Sequence, residues 1–382
     1  MAPDRKRKPD ASTTPPRVAV LYQAIDPPVI NGVTKPRKPG GYRDSGADIA
    51  YVLGKSGVQV ITPTLRPDPT DDGGWCFPDS EEGILSAIQS GATHLWANTI
   101  LFAAHPLQAS RAITKYADSV QVVGQPPSLV ELFDDKEYTN NLLRKHTKLP
   151  LPTSYTIDTR NGRNIQLPSA LRFPIVAKPI RGRGSHGVRV CHDKSDLLGH
   201  LSVILQESPV VMLESFLAGE EATIAVMPPS SETPRFWALP VVTRFNHELD
   251  IAPYNGVKAV TSNSRVLSWP EFEADAAYAV VSRQCEQVAK LLNVTAPIRI
   301  DVRRFDADRG SPFAIFDINM KPNMTGPGRP GREDQDSLVA MAAKKLGWDY
   351  PRLLREVLST AKVLTKLREL ALPSPFANNS NR

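Results

Sequence analysis

Asp301, Asp317 and Asn319 place three hard oxygen donors at spacings that let them meet. They fall in two apolar stretches, IRIDVRRF and PFAIFDINMKP, whose two-residue period predicts strands. In the first, Ile298, Ile300 and Val302 share one face and leave Arg299, Asp301 and Arg303 on the other. In the second, Ala314, Phe316 and Ile318 share a face, so Asp317 and Asn319 stand side by side opposite. The turn-rich DADRGS between the two makes them antiparallel neighbours. Two carboxylates and an amide oxygen then converge as ligands for Mg²⁺, or Mn²⁺ in its place, with phosphate oxygens and water filling the remaining positions. Alternating polar residues on a solvent face would show the same period, but would not require aspartate and asparagine in these registers.

The second group lies in Phe173 to Val190, FPIVAKPIRGRGSHGVRV. A short apolar run ends in Lys178, a loop with Gly182, Gly184, Ser185 and Gly187 follows, and Val188 and Val190 resume a strand-like pattern. Such a hairpin can close over phosphates: glycines let backbone N–H groups approach an anion without a Cβ in the way, and the lysine adds a compact charge. The alternative is an ordinary glycine-rich surface hairpin. The letters also spell G-x-G-x-x-G, but a dinucleotide fold needs that loop to open a helix, and here it opens VRVCHD, which is strand-like. A protein kinase puts its lysine after the loop, and a Walker A loop ends in Gly-Lys-Ser/Thr, which is absent. What remains is the ATP-grasp arrangement, a lysine-tipped strand before a mobile glycine loop.

Further elements must carry the rest. In VVMLESFLAGEEATIAVM one strand runs into Glu214, Ala218 and Gly219 interrupt it, and a second starts near Glu221. Carboxylates next to apolar strand residues are costly without donors, which an adenine amino group and ribose hydroxyls would supply. Alternatively Glu220 and Glu221 form a polar turn. Ser128 to Lys145 is helical by spacing, with Lys136 following Asp134 and Asp135. Alone Lys136 reads as a solvated charge, and Lys178 downstream makes it a second phosphate cation. From Arg17 to Gly124 strands and helices alternate, starting with VAVLY, which predicts an open, mainly parallel α/β sheet. Ser80 caps one of its helices, and Pro106 opens another through Tyr116. Ser195 to Leu205 and Asp334 to Leu346 read as helices, and Asp349 caps one more.

Length and composition set the limits. A chain of 382 residues implies two or three domains sharing a cleft, and 41% hydrophobic with 23% charged residues is a globular composition. No apolar run approaches bilayer length, and the basic N-terminus has no apolar stretch behind it, so neither a membrane span nor a secretory signal is expected. The formal net charge is +6, but Arg5, Lys6, Arg7, Lys8 and Arg17 against Asp4 and Asp10 already account for three of it. Nothing interleaves aromatic and basic residues, so nucleic acid is not an expected partner. Cys76, Cys191 and Cys285 are odd in number and scattered, which argues for a reducing, cytoplasmic setting without disulfides or a zinc site.

In order, these motifs resemble the ATP-grasp enzymes, and within them the D-alanine–D-alanine ligases, from about residue 17 to 365. The matching pieces are the Asp-Lys pair at Lys136, FPIVAKP with its loop, VMLESFLAGEEATIAV, RIDV, IFDINMKPNMT and LVAMAAKKLGWDYPRLLREVL. The resemblance implies an α/β (α+β) architecture: a basic tail (1–16), a Rossmann-like domain (17–127), a central ATP-grasp lobe (128–225), a C-terminal lobe with the magnesium site (226–372) and a second tail (373–382). It implies that Lys136, Lys178, Ser185 and the loop glycines hold ATP phosphates, with Lys258 on a further mobile loop. Glu214 and the backbone near Leu217 would hold adenine, Glu221 the ribose, and Arg299 the tetrahedral intermediate. The reaction implied joins a carboxylate to an amine through an acyl phosphate, both substrates small molecules, and a homodimer is compatible with it. Departures lie in the substrate half. Lys38, Gly184 and Ala259 stand where the family has a glutamate, a serine and a tyrosine, WANTILFAAHP replaces its histidine-glycine motif, and Asn323 replaces the glycine of PGMT. The expectation is therefore a ligase of amino acids or similar acids other than D-alanine, with Lys38 repelling an ammonium. Arg181, Arg183 or His186 would brace the loop. A non-catalytic ATP-binding regulator, or a kinase or ATPase acting on another acid, are the alternatives.

Overall fold

The alternating runs build three sheets in the computed structural model, which describes residues 15–162, 165–253 and 259–372. The expected tails, apart from residues 15 and 16, and Lys258 lie outside those residues. The first sheet has the order Lys362–Val363, Gln121–Val123, His94–Asn98, Arg17–Tyr22, Gln59–Val60, and the short Phe77–Pro78 also pairs with Arg17–Tyr22. All its pairings are parallel except that of Lys362–Val363, which runs antiparallel to Gln121–Val123. Val18, Val20 and Leu21 are fully buried, as a strand covered on both faces requires.

The second sheet is antiparallel, in the order Ser264–Val266, Val242–Arg244, Glu221–Met227, Ile298–Arg304, Phe313–Asn319, with Trp237–Ala238 beside Glu221–Met227. The helix Ala276–Leu291, which no sequence expectation covers, buries Val281, Cys285 and Val288 in the core that this sheet shares. The third sheet, Ser154–Asp158, Val210–Ser215, Ile175–Pro179, Arg189–Cys191, holds the glycine loop between its last two strands. The helix Lys194–Glu207 packs on it through Leu197, Leu201 and Ile204.

Three helices differ from expectation, each because a short polar side chain captures the backbone. The stretch from Ser128 divides into Pro127–Phe133 and Lys136–His146, since the Asp135 carboxylate accepts from the Tyr138 amide at 2.9 Å and caps the second helix. Ser110 splits the Pro106 helix by accepting from the Ile113 amide at 3.1 Å. The helix expected from Asp334 starts at Leu338, because Ser337 is the residue that accepts from the Ala340 amide. Ser80 and Asp349 do cap their helices.

The strands Ile298–Arg304 and Phe313–Asn319 are antiparallel, with Asp301 opposite Asp317 and Arg299 opposite Asn319. Strict alternation fails at one point. Val302 pairs with Ile315, so Phe316 is an extra residue in a β-bulge. Phe313, Ile315 and Ile318 therefore face the core, and Ala314 and Phe316 do not share that face. Phe316 instead lines the cleft beside Asp317.

Candidate active site

A cleft of about 370 Å³ opens between the three sheets. Lys136, Lys178, Gly182, Gly184, Ser185, Glu214, Leu217, Glu221, Arg299, Asp301, Asp317 and Asn319 all line it. Of the sequence candidates, Gly187 is not at its wall and Lys258 lies outside the described residues. The glycine loop needs its small residues: Gly184, Ser185 and Gly187 have φ of 58°, 58° and 70°. A Cβ on Gly187 would lie 2.4 Å from Ile204 Cδ1, so this glycine seats the loop against the helix below it.

The first turn of the helix Lys136–His146 is fixed to the glycine-loop strand, because the Lys136 amide donates to Ile180 O at 3.0 Å. Its side chain crosses the cleft and donates to Asp317 Oδ1 at 2.6 Å. Burial by itself raises the Asp317 carboxyl, but Lys136 and Lys178 more than offset it and hold that group below the usual carboxylate range. Lys178 donates to Phe316 O at 3.0 Å and pairs with Glu214 at 2.5 Å. Glu214 also accepts from Asn140 at 2.9 Å, so its carboxylate is satisfied inside the protein. The hinge beside it differs. Ser215, Phe216 and Ala218 donate their amides to Thr153, Pro174 and Phe305 carbonyls, whereas the buried Leu217 amide has no partner among the described residues. Glu221 accepts from His247 at 2.9 Å.

At the floor, Arg299 donates twice to Asp301, at 3.0 and 2.8 Å, and Thr223 donates to Asp301 Oδ1 at 2.6 Å. Asn319 Nδ2 lies 3.0 Å from Asp301 Oδ2 and 3.3 Å from Asp317 Oδ2. Rotating that amide by half a turn puts its oxygen beside the same two carboxylates. Among the described residues no three His, Cys, Asp or Glu side chains cluster as a metal site, so the donor set is two aspartates and an amide. These are the hard oxygens Mg²⁺ takes, and they fit it. Lys136, Lys178 and Arg299 are balanced here by Asp317, Glu214 and Asp301. A triphosphate entering this neutral cluster would need added positive charge.

The cleft continues into a second region that the sequence reading reached through Lys38, Arg183 and Asn323. Lys38 pairs with both oxygens of Asp44 at 2.8 Å, so its charge is already neutralised and does not act as expected. Lys35 is likewise held by Asp134. Lys321, two residues past Asn319, has its ammonium buried with no hydrogen-bond acceptor among the described residues, 3.3 Å from the Tyr42 ring centre. Burial, then repulsion from Lys38, pushes it well below the ordinary lysine range, against a partial offset from Asp44. Of the proposed loop braces, His186 is exposed and pairs with Glu207, and Arg181 donates to Glu131 O at 2.8 Å and pairs with Asp135. Arg183 sits over the Tyr42 ring at 5.8 Å.

Thr223, Asn140 and Lys321 are the residues sequence reasoning missed. Thr223 lies two past Glu221 on one strand and Asn140 four past Lys136 on one helix, which are same-face spacings that could have found them. Lys321 follows the last strand residue and carries no periodic signal.

The family profile described as the D-ala D-ala ligase C-terminus matches residues 149–359. The chain belongs to that family of ATP-grasp ligases. D-alanine–D-alanine ligase A of Bacillus cereus is 25% identical over 228 residues, which is 59% of this chain and 67% of the relative. The Gloeobacter violaceus D-alanine–D-alanine ligase is 28% identical over 193 residues, 50% of this chain and 56% of the relative. In each case the aligned part of the relative is two thirds of its length or less, to rounding. In structure, the Bacillus anthracis D-alanine–D-alanine ligase complexed with ATP aligns over 92% of this ATP-grasp chain and 98% of its own, with a TM-score of 0.62 and 16% identity. That likeness is one of fold.

Proposed function

We propose that this ATP-grasp chain is an ADP-forming carboxylate–amine ligase that binds ATP in the cleft and acts on an acid other than D-alanine. The observation that carries the catalytic half is the convergence of Lys136, Lys178 and Arg299 on Asp317, Glu214 and Asp301 from two sheets and the helix Lys136–His146. The unpartnered Leu217 amide at the hinge is suited to an adenine nitrogen, and Glu221 to ribose hydroxyls. Phe316, brought to the wall by the bulge, offers an apolar surface there.

Asp301, Asp317 and Asn319 would hold Mg²⁺, or Mn²⁺, which when bound supplies the positive charge that neutralises phosphate oxygens. Lys136 and Lys178 exchange their carboxylate partners for phosphate oxygens and orient the triphosphate. The substrate carboxylate oxygen attacks the γ-phosphorus, an O–P bond forms, and the bond to the β-bridging oxygen breaks to release ADP. The amine nitrogen then attacks the acyl carbon, a C–N bond forms, inorganic phosphate leaves with its electron pair, and the amine proton passes to solvent. Arg299, released from Asp301, stabilises the oxyanion between these events. Positioning and charge neutralisation provide most of the rate.

Against D-alanine stands the substrate region, where the carboxylate available to an ammonium, Asp44, already pairs with Lys38 and an uncompensated Lys321 lies alongside. The three buried thiols, none in a disulfide, suit a reducing, cytoplasmic compartment. Release of ADP measured with ATP, Mg²⁺ and pairs of amino acids tests the proposal. ADP and dipeptide from D-alanine alone, at rates matching any other acid, would overturn the substrate half, and ATP binding without turnover of any pair would favour a regulatory binder.

A further inference from the structure

Three cations surround one aromatic ring at the end of the cleft away from the hinge. Lys321 Nζ is 3.3 Å, Lys38 Nζ 4.8 Å and the Arg183 guanidinium 5.8 Å from the Tyr42 ring centre. They come from three parts of the chain: the loop before the first helix, the glycine loop, and the segment leaving the strand that carries Asp317 and Asn319. The ring is held in place by unusual backbone. Tyr42 has φ of 67°, and Gly41 packs so close that a Cβ there would be 2.1 Å from Gln23 O.

Cation–π contact accounts for part of this clustering, but not for an ammonium left without an acceptor. Lys35 and Lys38 each have a carboxylate, Asp134 and Asp44, and Arg332 nearby is bound to Asp48. Lys321 has none among the described residues, although its nitrogen is buried. A buried amine nitrogen with no acceptor is unfavourable, and an anionic ligand would supply the partner it lacks.

We propose that Lys321, with Lys38 and Arg183 around Tyr42, is a subsite for a second, non-reacting carboxylate of the acid substrate. This rests on the ligase function proposed above and names its acid as a dicarboxylate. An anion there would supply the acceptor that the Lys321 nitrogen lacks. It would also bridge the glycine loop to the other two segments, so the correct acid would itself brace the loop where the family's serine and tyrosine are missing.

The test is hydroxamate formation from ATP, Mg²⁺ and hydroxylamine, which traps the acyl phosphate whatever the natural amine. The acids are succinate, both enantiomers of aspartate and glutamate, and both enantiomers of alanine. A dicarboxylate should be preferred over alanine about 10- to 100-fold in kcat/KM, the factor expected for one charge-assisted hydrogen bond. Lys321→Met should remove that preference through KM. It should leave the Kd of a non-hydrolysable ATP analogue, measured by calorimetry, within about twofold, which also shows the cleft intact, and it should not lower alanine turnover. Lys321→Arg should restore part of the preference. Preference for a monocarboxylate, or equal losses for both classes in Lys321→Met, overturns the subsite and leaves the ligase function standing. A fall in analogue affinity assigns Lys321 to the nucleotide and also overturns it. ATP binding with no hydroxamate from any acid defeats the ligase function and the subsite together.

Discussion

Each charged residue of the cleft is defined by the partner it now holds and would have to exchange. Asn319→Ala and Asp317→Ala remove donors that phosphate charge depends on, so each is expected to lower ADP release by about 10²- to 10³-fold or more. Unfolding temperatures measured alongside should stay close to wild type for Asn319→Ala, and near-normal turnover in either variant would move the metal site elsewhere. Lys178→Ala should weaken ATP binding at least about tenfold while adenosine binding changes little, as read by calorimetry. It should also destabilise the fold, because Glu214, 3% exposed, is left with Asn140 alone. A pH effect is expected from Asp79. Its carboxylate accepts from the Ala24 and Ile25 amides at 2.7 and 3.0 Å, and from Thr99 and His105. Burial raises this carboxyl, but those hydrogen bonds outweigh it and bring it below its usual 3.8. A lowered folded pKa contributes stability that is complete above the unfolded value, near pH 4, and is lost as pH falls through the folded one. Asp79→Asn should thus cost roughly 2–4 kcal/mol at neutral pH, and the gap to wild type in urea unfolding should narrow below about pH 4.

At the scale of elements, the helix Arg43–Lys55 is tied to the loop after Asn319 through one buried carboxylate. Asp48, fully buried, accepts from Arg329 at 2.8 Å, Arg332 at 2.8 and 2.9 Å, and Thr325 at 2.5 Å. Arg329 is 1% exposed and continues to Asp72 and to the Asp71 carbonyl, whereas Arg332 is 23% exposed. Burial decides which matters more. Arg329→Met is expected to cost about 3–5 kcal/mol and Arg332→Met about 1 kcal/mol, as measured by urea denaturation. Equal effects would show that the cluster is as solvated at Arg329 as at Arg332. The cluster is also what fixes Asn323 and Thr325 at the cleft wall, which links packing to the substrate region.

For the molecule as a whole, the last described segment closes the fold back on its beginning. Lys362–Val363 completes the first sheet, Leu364 and Leu367 are fully buried in its core, and Arg368 donates to Leu107 O at 2.6 Å. Ending the chain after Ala361 removes two buried leucines, a loss of about 3–6 kcal/mol. The shortened protein should unfold at correspondingly lower urea, and an unchanged midpoint would show that the segment is only appended. Because Leu364 shares a core cluster with Ile300 and Val302, the first and second sheets should unfold together, in one transition seen alike by fluorescence and circular dichroism.

Much of this was legible before any fold was known. The strand faces carrying Asp301 and Asn319, the lysine-tipped strand before the glycine loop, and the caps at Ser80 and Asp349 all follow from covalent periodicity and from polar side chains acting within three or four residues of themselves. These are local effects, and order in the sequence is enough to state them. What the tertiary structure decided is the pairing of charges between segments brought together by the path of the chain. Lys178 meets Glu214, Lys136 meets Asp317, Lys38 is neutralised by Asp44, and Arg329 reaches an aspartate 281 positions away. It also decided the bulge at Phe316, because a register shift depends on how two strands meet and not on either strand alone. Lys321 belongs to the same class: its lack of a partner is a property of everything packed around it, and no run of letters near position 321 carries that information.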